Sequence, residues 1–187
     1  MRQPYFIVFT GPMFGSKTTK MLAAIERASY QNKKVIAFKP QMDDRYSQGE
    51  IVTHTGMRFT AHNIKSGKQI IDLSKEYEVI AVDEAFMIDD IAETLIDLFQ
   101  MGKSIIVSSI QLSASGQVFE EIRDILPWAT KIEICPAVCQ HTGADAYYTV
   151  RKNRGTSEIE VGGSELYEPR AWTHTPFMNK KYGENYG

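Results

Sequence analysis

The 187-residue sequence predicts an α/β fold, a parallel sheet flanked by helices, with a small C-terminal hairpin lobe. Three observations predict it. Short runs rich in Val, Ile and Phe recur between amphipathic stretches, and strands apolar on both faces belong in a sheet covered on both sides. The first run passes through a glycine turn directly into a helical pattern, the order of a strand–helix unit. Beyond about Pro136 the composition turns polar and rich in Gly and Tyr, which marks a separate unit.

The elements follow in order. Residues 5–10 form the first strand; one charge, a proline and a short apolar run ahead of a turn read as core rather than as a secretion signal. Residues 17–31 place Met21, Leu22, Ile25, Ala28 and Ser29 at helical spacing. Strands are expected at 35–38, 79–82, 105–109 and 131–135. A helix over 88–101 carries Ile91, Leu95, Ile96, Leu98 and Phe99, and another over 119–126 stops before Pro127. In residues 136–175 two alternating runs flank the turn-prone segment 153–157, a hairpin with a long flexible loop. Residues 176–187 have no period and are expected to fray. With roughly 150 residues per domain, this length suits one core, residues 1–135, with an appendage.

Composition narrows the function classes. A hydrophobic share of 43% with 24% charged residues excludes a wholly disordered chain. Apolar runs such as that at Ile105 fall far short of the ~20 residues a membrane span needs, so no membrane partner is expected. Lys plus Arg 21 against Asp plus Glu 23 leaves a net charge of −2, which gives no reason to expect a nucleic-acid partner. Any anion site is local. The two cysteines, Cys135 and Cys139, are too few for a disulfide framework, and point to a reducing compartment, the cytoplasm.

The segment Gly11-Pro12-Met13-Phe14-Gly15-Ser16-Lys17-Thr18 follows an apolar strand and opens a helix, the context of a phosphate-binding P-loop. Backbone N–H groups there face one oxyanion, Lys17 reaches the β- and γ-phosphates of ATP, and the Thr18 hydroxyl ligates Mg²⁺. Ser16 stands where the pattern has glycine, and a glycine appears one place earlier, at Gly15. If the position before the lysine needs φ > 0, serine costs on the order of 1 kcal/mol there. The plainer alternative is a Gly-rich turn with a solvated Lys17. Further on, the strand EYEVIAV ends in Asp83-Glu84, so that Asp83 would hold Mg²⁺ while Glu84 takes the proton of an acceptor. Without the upstream loop the same pair would read as a solvated turn.

These pieces, with Asp43-Asp44-Arg45-Tyr46-Ser47, Thr53-His54, Pro127, the Cys135–Cys139 region with AYYTVR, and EIEVGGSELYEPR, resemble in order and spacing the thymidine kinase family over residues 4–175. The resemblance implies ATP-dependent phosphorylation of a deoxynucleoside 5′-hydroxyl, with thymidine as acceptor, by a homotetramer with a small zinc-bearing lasso lobe. By matching position it implies that Lys17 and Thr18 hold phosphates and Mg²⁺, and that Asp43 and Arg45 support the metal and the transferring phosphoryl group. Glu84 is the implied general base. Met13 and Tyr167 would line the nucleoside pocket, and the backbone of Glu160, Val161, Gly162 and Gly163 would meet the base. Asp43 and Arg45 as a salt-laced loop, and Tyr167 as hairpin packing, stay open as alternatives.

The sequence also departs from the family. Of the four zinc ligands that resemblance implies, Cys139 and His174 are present, whereas Thr142 and Ala171 replace the others. A rearranged set of Cys135, Cys139, His141 and His174 still counts four donors, but the expectation favours a lobe that folds without zinc. Phe86 stands where an amide is usual, and Ala114 where an aromatic packs on the base; losing a stacking ring removes about 1–3 kcal/mol. Three readings remain open: a thymidine kinase, a related kinase with a shifted base pocket, and a catalytically silent nucleotide-binding homologue.

Overall fold

In the computed structural model, which describes residues 3–42, 49–53, 56–152 and 162–178, the apolar runs pair as parallel strands. In chain order the elements are β1 (Phe6–Thr10), α1 (Lys17–Tyr30), β2 (Val35–Pro40), β3 (Glu50–Val52), β4 (Arg58–Thr60), β5 (His62–Ile64), α2 (Lys68–Leu73), β6 (Val79–Val82), α3 (Ile91–Gln100), β7 (Ser104–Ser109), α4 (Glu120–Ile125) and β8 (Lys131–Ile134). The small lobe adds β9 (Ala137–Val138), β10 (Asp145–Ala146), β11 (Tyr148–Arg151) and β12 (Tyr167–Arg170). One six-stranded sheet runs β5-β2-β6-β7-β1-β8, every pair parallel.

Side chains alternate between two cores, as the pleat requires. Ile36 and Phe38 of β2 and Ile80 and Val82 of β6 face one way, under Ile91, Leu95 and Leu98 of α3 and Ile122 and Ile125 of α4. Ala37, Val79 and Ala81 face the other way, beneath Met21, Leu22 and Ile25 of α1. Fully burying a side chain of that size contributes about 1.5–3 kcal/mol, so α1 is fixed to the sheet by three or four residues on one stripe. The same alternation carries Lys39 and Asp83, the next residues along β2 and β6, onto the α1 face.

Several sequence expectations shift in detail. Ser29 is exposed, and its hydroxyl donates to the Ile25 carbonyl at 3.1 Å instead of packing. The helix expected over 88–101 begins at Ile91, because Asp90 is left-handed (φ 55°) and Ile88 is extended. The hairpin pairs Tyr148–Arg151 with Tyr167–Arg170, with Thr149 opposite Pro169 and Arg151 opposite Tyr167, whereas the turn expected at 153–157 and the run directly after it lie outside the described residues. Of the segment expected to fray, Phe177 packs edge-on to Tyr148, with ring centroids 5.8 Å apart, and lies against Gly116.

Candidate active site

The turn between β1 and α1 is shaped by backbone contacts that exclude a β-carbon. The Cys135 N–H donates to the Thr10 carbonyl at 2.7 Å, which brings the Cys135 carbonyl across the turn. A β-carbon on Gly11 would lie 2.4 Å from that oxygen, and one on Gly15 2.2 Å from it. Both glycines are therefore fixed by close approach. Gly11 also has a positive φ (136°), and the residues with a β-carbon that are left-handed are Phe14 (φ 65°) and Ser16 (φ 58°, ψ 25°), whose side chain makes no capping bond to α1. The demand for φ > 0 thus stays at the residue before the lysine, in the register of the glycine it replaces. Left-handed residues in such a turn swing N–H groups toward one point, a concavity suited to an anion at a helix N-terminus. Lys17 is buried, and its Nζ donates to the Pro12 carbonyl at 2.6 Å.

Thr18, one residue into α1, reaches across β7 to β6. Its hydroxyl lies 3.2 Å from each Asp83 carboxylate oxygen, and Asp83 is buried. Asp83 also accepts the Glu84 N–H at 3.1 Å. Glu84 is left-handed (φ 47°, ψ 45°) and half-buried, a conformation that costs a non-glycine residue about 1–2 kcal/mol. The turn after it is held by the buried Ser109 hydroxyl, which accepts the Phe86 N–H at 3.2 Å and donates to the Ile110 carbonyl at 3.0 Å. Two adjacent carboxylates thus sit at the carboxyl edge of a parallel sheet, where such sheets bind ligands. The donors at Thr18 and Asp83 are hard oxygens, which suit Mg²⁺. Among the described residues no group of three His, Cys, Asp or Glu converges to hold a metal alone, so the fit is to an ion that takes its remaining ligands from water and phosphate.

The small lobe touches the turn directly. Met13 N–H donates to the Thr149 hydroxyl of β11 at 2.9 Å. Thr149, Arg151, Tyr167 and Pro169 share one face of the hairpin, so Tyr167, itself buried, belongs to the face that meets Met13. The Arg151 guanidinium lies 6.0 Å from its ring centroid. Gly163 begins the turn into β12, its carbonyl accepting from Leu166 and Tyr167, while Gly162 packs against Leu166. Asp43, Arg45, Glu160 and Val161, named from the sequence, lie outside the described residues.

The residues present do not fit a zinc centre. Cys135 packs in the α1-side core with Phe9 and Met21, whereas Cys139 sits in a separate cluster with Ala137, Ala146 and Ala171. The rearranged ligand set is therefore split between two parts of the molecule. Around Cys139, hydrogen bonds from the Thr142 side chain, and then from the Ala171 backbone, hold the thiol down to about 7. These are the two residues standing at the missing ligand places. His141 and His174 stack with centroids 5.8 Å apart.

Comparison with known sequences decides the family. A sequence model of the thymidine kinases matches residues 5–174. The chain belongs to the thymidine kinase family. It is 34% identical over 180 residues to a thymidine kinase of Thermococcus kodakarensis, covering 89% of this chain and 91% of that protein. It is 34% identical over 179 residues to one of Pyrobaculum aerophilum (90% and 96%), and 33% identical over 174 residues to one of Coprothermobacter proteolyticus (89% and 88%). Within this thymidine kinase family member, the Phe86 ring packs tilted at 45° against Phe119 with centroids 4.7 Å apart, which explains its aromatic character as packing. Ala114 lies half-buried in the turn after β7. Sequence reasoning missed Thr149 and Ser109, because a lone hydroxyl in a strand carries no spacing signal; each shows its use only when a partner from a distant segment arrives.

Proposed function

We infer that this chain transfers the γ-phosphoryl group of ATP to the 5′-hydroxyl of thymidine. The observation that carries the reading is the meeting of Thr18 and Asp83 across β7, beside a turn in which Ser16 adopts the glycine conformation. In this reading the N–H groups of residues 13–18 cradle the phosphates, and Lys17 exchanges its bond to Pro12 for phosphate oxygens. Thr18 and Asp83 would hold Mg²⁺, which when bound would offset the charge of the phosphates. Glu84, fixed by its strained backbone, accepts the proton of the attacking hydroxyl. Met13 and Tyr167 would enclose the nucleoside; the resemblance assigns the base to the backbone of residues 160–163, and support of the metal and of the transferring group to Asp43 and Arg45.

Two further parts of the reading concern its setting. Both cysteines are free thiols and no helix among the described residues is long and apolar enough to cross a membrane, which supports the cytoplasm. Half-exposed Ile132 and Ile134 on the edge strand β8 support a homo-oligomer, the homotetramer that the resemblance implies.

The test is ADP release from ATP and Mg²⁺ with a panel of nucleosides. Thymidine-dependent release supports the reading. Release with another nucleoside in preference moves the specificity, through Ala114 and its neighbours. No nucleoside-dependent release with intact ATP binding makes the chain a silent homologue.

A further inference from the structure

The loop after β7 and the last described residues of the chain meet at a point that the reading above leaves unused. Gln111 opens that loop and ties it to the phosphate turn, its Oε1 accepting the Thr10 hydroxyl at 2.6 Å, one residue before Gly11. Leu112 bridges Val118, and the Gly116 N–H donates to the Ser113 carbonyl at 3.0 Å, so residues 111–118 fold back on themselves around a turn. Gly116 has φ 85°, and a β-carbon there would lie 2.9 Å from Cγ and Cδ2 of Phe177. The ring therefore rests on bare glycine backbone. The same ring meets the small lobe, where Tyr148 of β11 packs edge-on to it with centroids 5.8 Å apart and planes at 87°. Tyr148 precedes Thr149, the residue that accepts the Met13 N–H at 2.9 Å. Buried Thr175 shapes the turn that presents the ring: its hydroxyl donates to the Ala171 carbonyl at 2.9 Å, and its carbonyl accepts the Met178 N–H at 3.0 Å.

These contacts close a circuit, from the phosphate turn through Gln111 to the loop, from the loop through Phe177 to the lobe, and from the lobe back to the turn at Met13. We propose that Phe177 is a positioning residue, a clasp that fastens the loop at 111–118 to the small lobe and so sets the width of the nucleoside site. A ring suits the task, because it is rigid, covers backbone that a glycine leaves bare, and gains from the edge-on pairing beyond its buried area. The proposal deepens the kinase reading and rests on its placement of the nucleoside between Met13 and Tyr167, yet the clasp itself is testable without any turnover.

In the kinase assay Phe177→Ala raises the KM for thymidine roughly 2- to 10-fold, the weight of one aromatic pair, with kcat and the KM for ATP nearly unchanged. The split is expected because the groups that meet the phosphates stand on α1 and at the end of β6, not on the loop. A ring used only for packing lowers Tm and leaves both KM values where they were, and that result overturns the proposal. The clasp is read separately by a thermal cycle. Gly116→Ala sets a β-carbon against the ring and lowers Tm by roughly 5–10 °C; in the Phe177→Ala chain the same change costs only the strain of its positive φ, roughly 2–4 °C. Additive Tm losses overturn the clasp, even in an active kinase. Coupled losses in a parent chain that phosphorylates no nucleoside uphold the clasp and refute the kinase reading, so the two failures are distinct.

Discussion

Replacing Ser16 by glycine should stabilise the protein before any nucleotide is present. Ser16 holds φ 58° and ψ 25°, is exposed, and makes no capping bond, so its side chain offers nothing against the strain. Left-handed backbone costs a residue with a β-carbon about 1–2 kcal/mol. Glycine gives back about 0.5–1 kcal/mol of that through its freer unfolded chain, which leaves a net gain of roughly 0.5–1 kcal/mol. In a chain of 150–250 residues that raises Tm by about 1–4 °C. Since the turn is already left-handed without ligand, the gain appears in thermal unfolding, by calorimetry or intrinsic fluorescence, more than in ATP affinity. Gly15→Ala is the companion measurement: its β-carbon would stand 2.2 Å from a backbone oxygen, so it should lower Tm sharply and weaken ATP binding. A lower Tm for Ser16→Gly, or a well-tolerated Gly15→Ala, would refute the account of the turn.

Other outcomes follow from the same geometry. Lys17→Ala should weaken ATP binding and turnover together, by nucleotide titration and steady-state kinetics, because its charge meets the phosphates both before and during transfer. Glu84→Gln should lower kcat by at least ~100-fold with ATP affinity little changed; a variant with near-normal turnover removes Glu84 as the base. The purified chain should hold less than one zinc by elemental analysis, and a chelator should leave its Tm unmoved; stoichiometric zinc would contradict the split between Cys135 and Cys139. Glu133 is held below its usual carboxylate range by hydrogen bonds from Lys131 and then Lys20. Its folded value is depressed, so its contribution is present at neutral pH and is lost as pH falls below about 4.5; at half-exposed positions it is worth on the order of 0.5 kcal/mol. Glu133→Gln should flatten that part of the acid-unfolding curve by this amount.

Where periodicity was strong, the sequence was a good guide. The β1 turn and α1 were legible because apolar strand, glycines, lysine and amphipathic helix occur in one continuous stretch, and Asp83-Glu84 because an apolar strand ends on two acids. Strand β5, with the polar sequence His62-Asn63-Ile64, was not legible: three residues at a sheet edge give no alternation to detect. Strand Tyr167–Arg170 was not singled out in the sequence because the pairing of short alternating runs depends on partners rather than on propensity. Gly15 was legible as a glycine but not for its reason, since the Cys135 carbonyl that excludes a side chain comes from 120 residues further on.

The most direct measurement is phosphoryl transfer itself. The purified chain is incubated with γ-labelled ATP, Mg²⁺ and thymidine, and the labelled product is identified by chromatography and mass. The account predicts label on the 5′-oxygen of thymidine, reduced with Lys17→Ala and reduced at least ~100-fold with Glu84→Gln. ATP bound by the wild-type chain with no label passed to thymidine or any other nucleoside would contradict it.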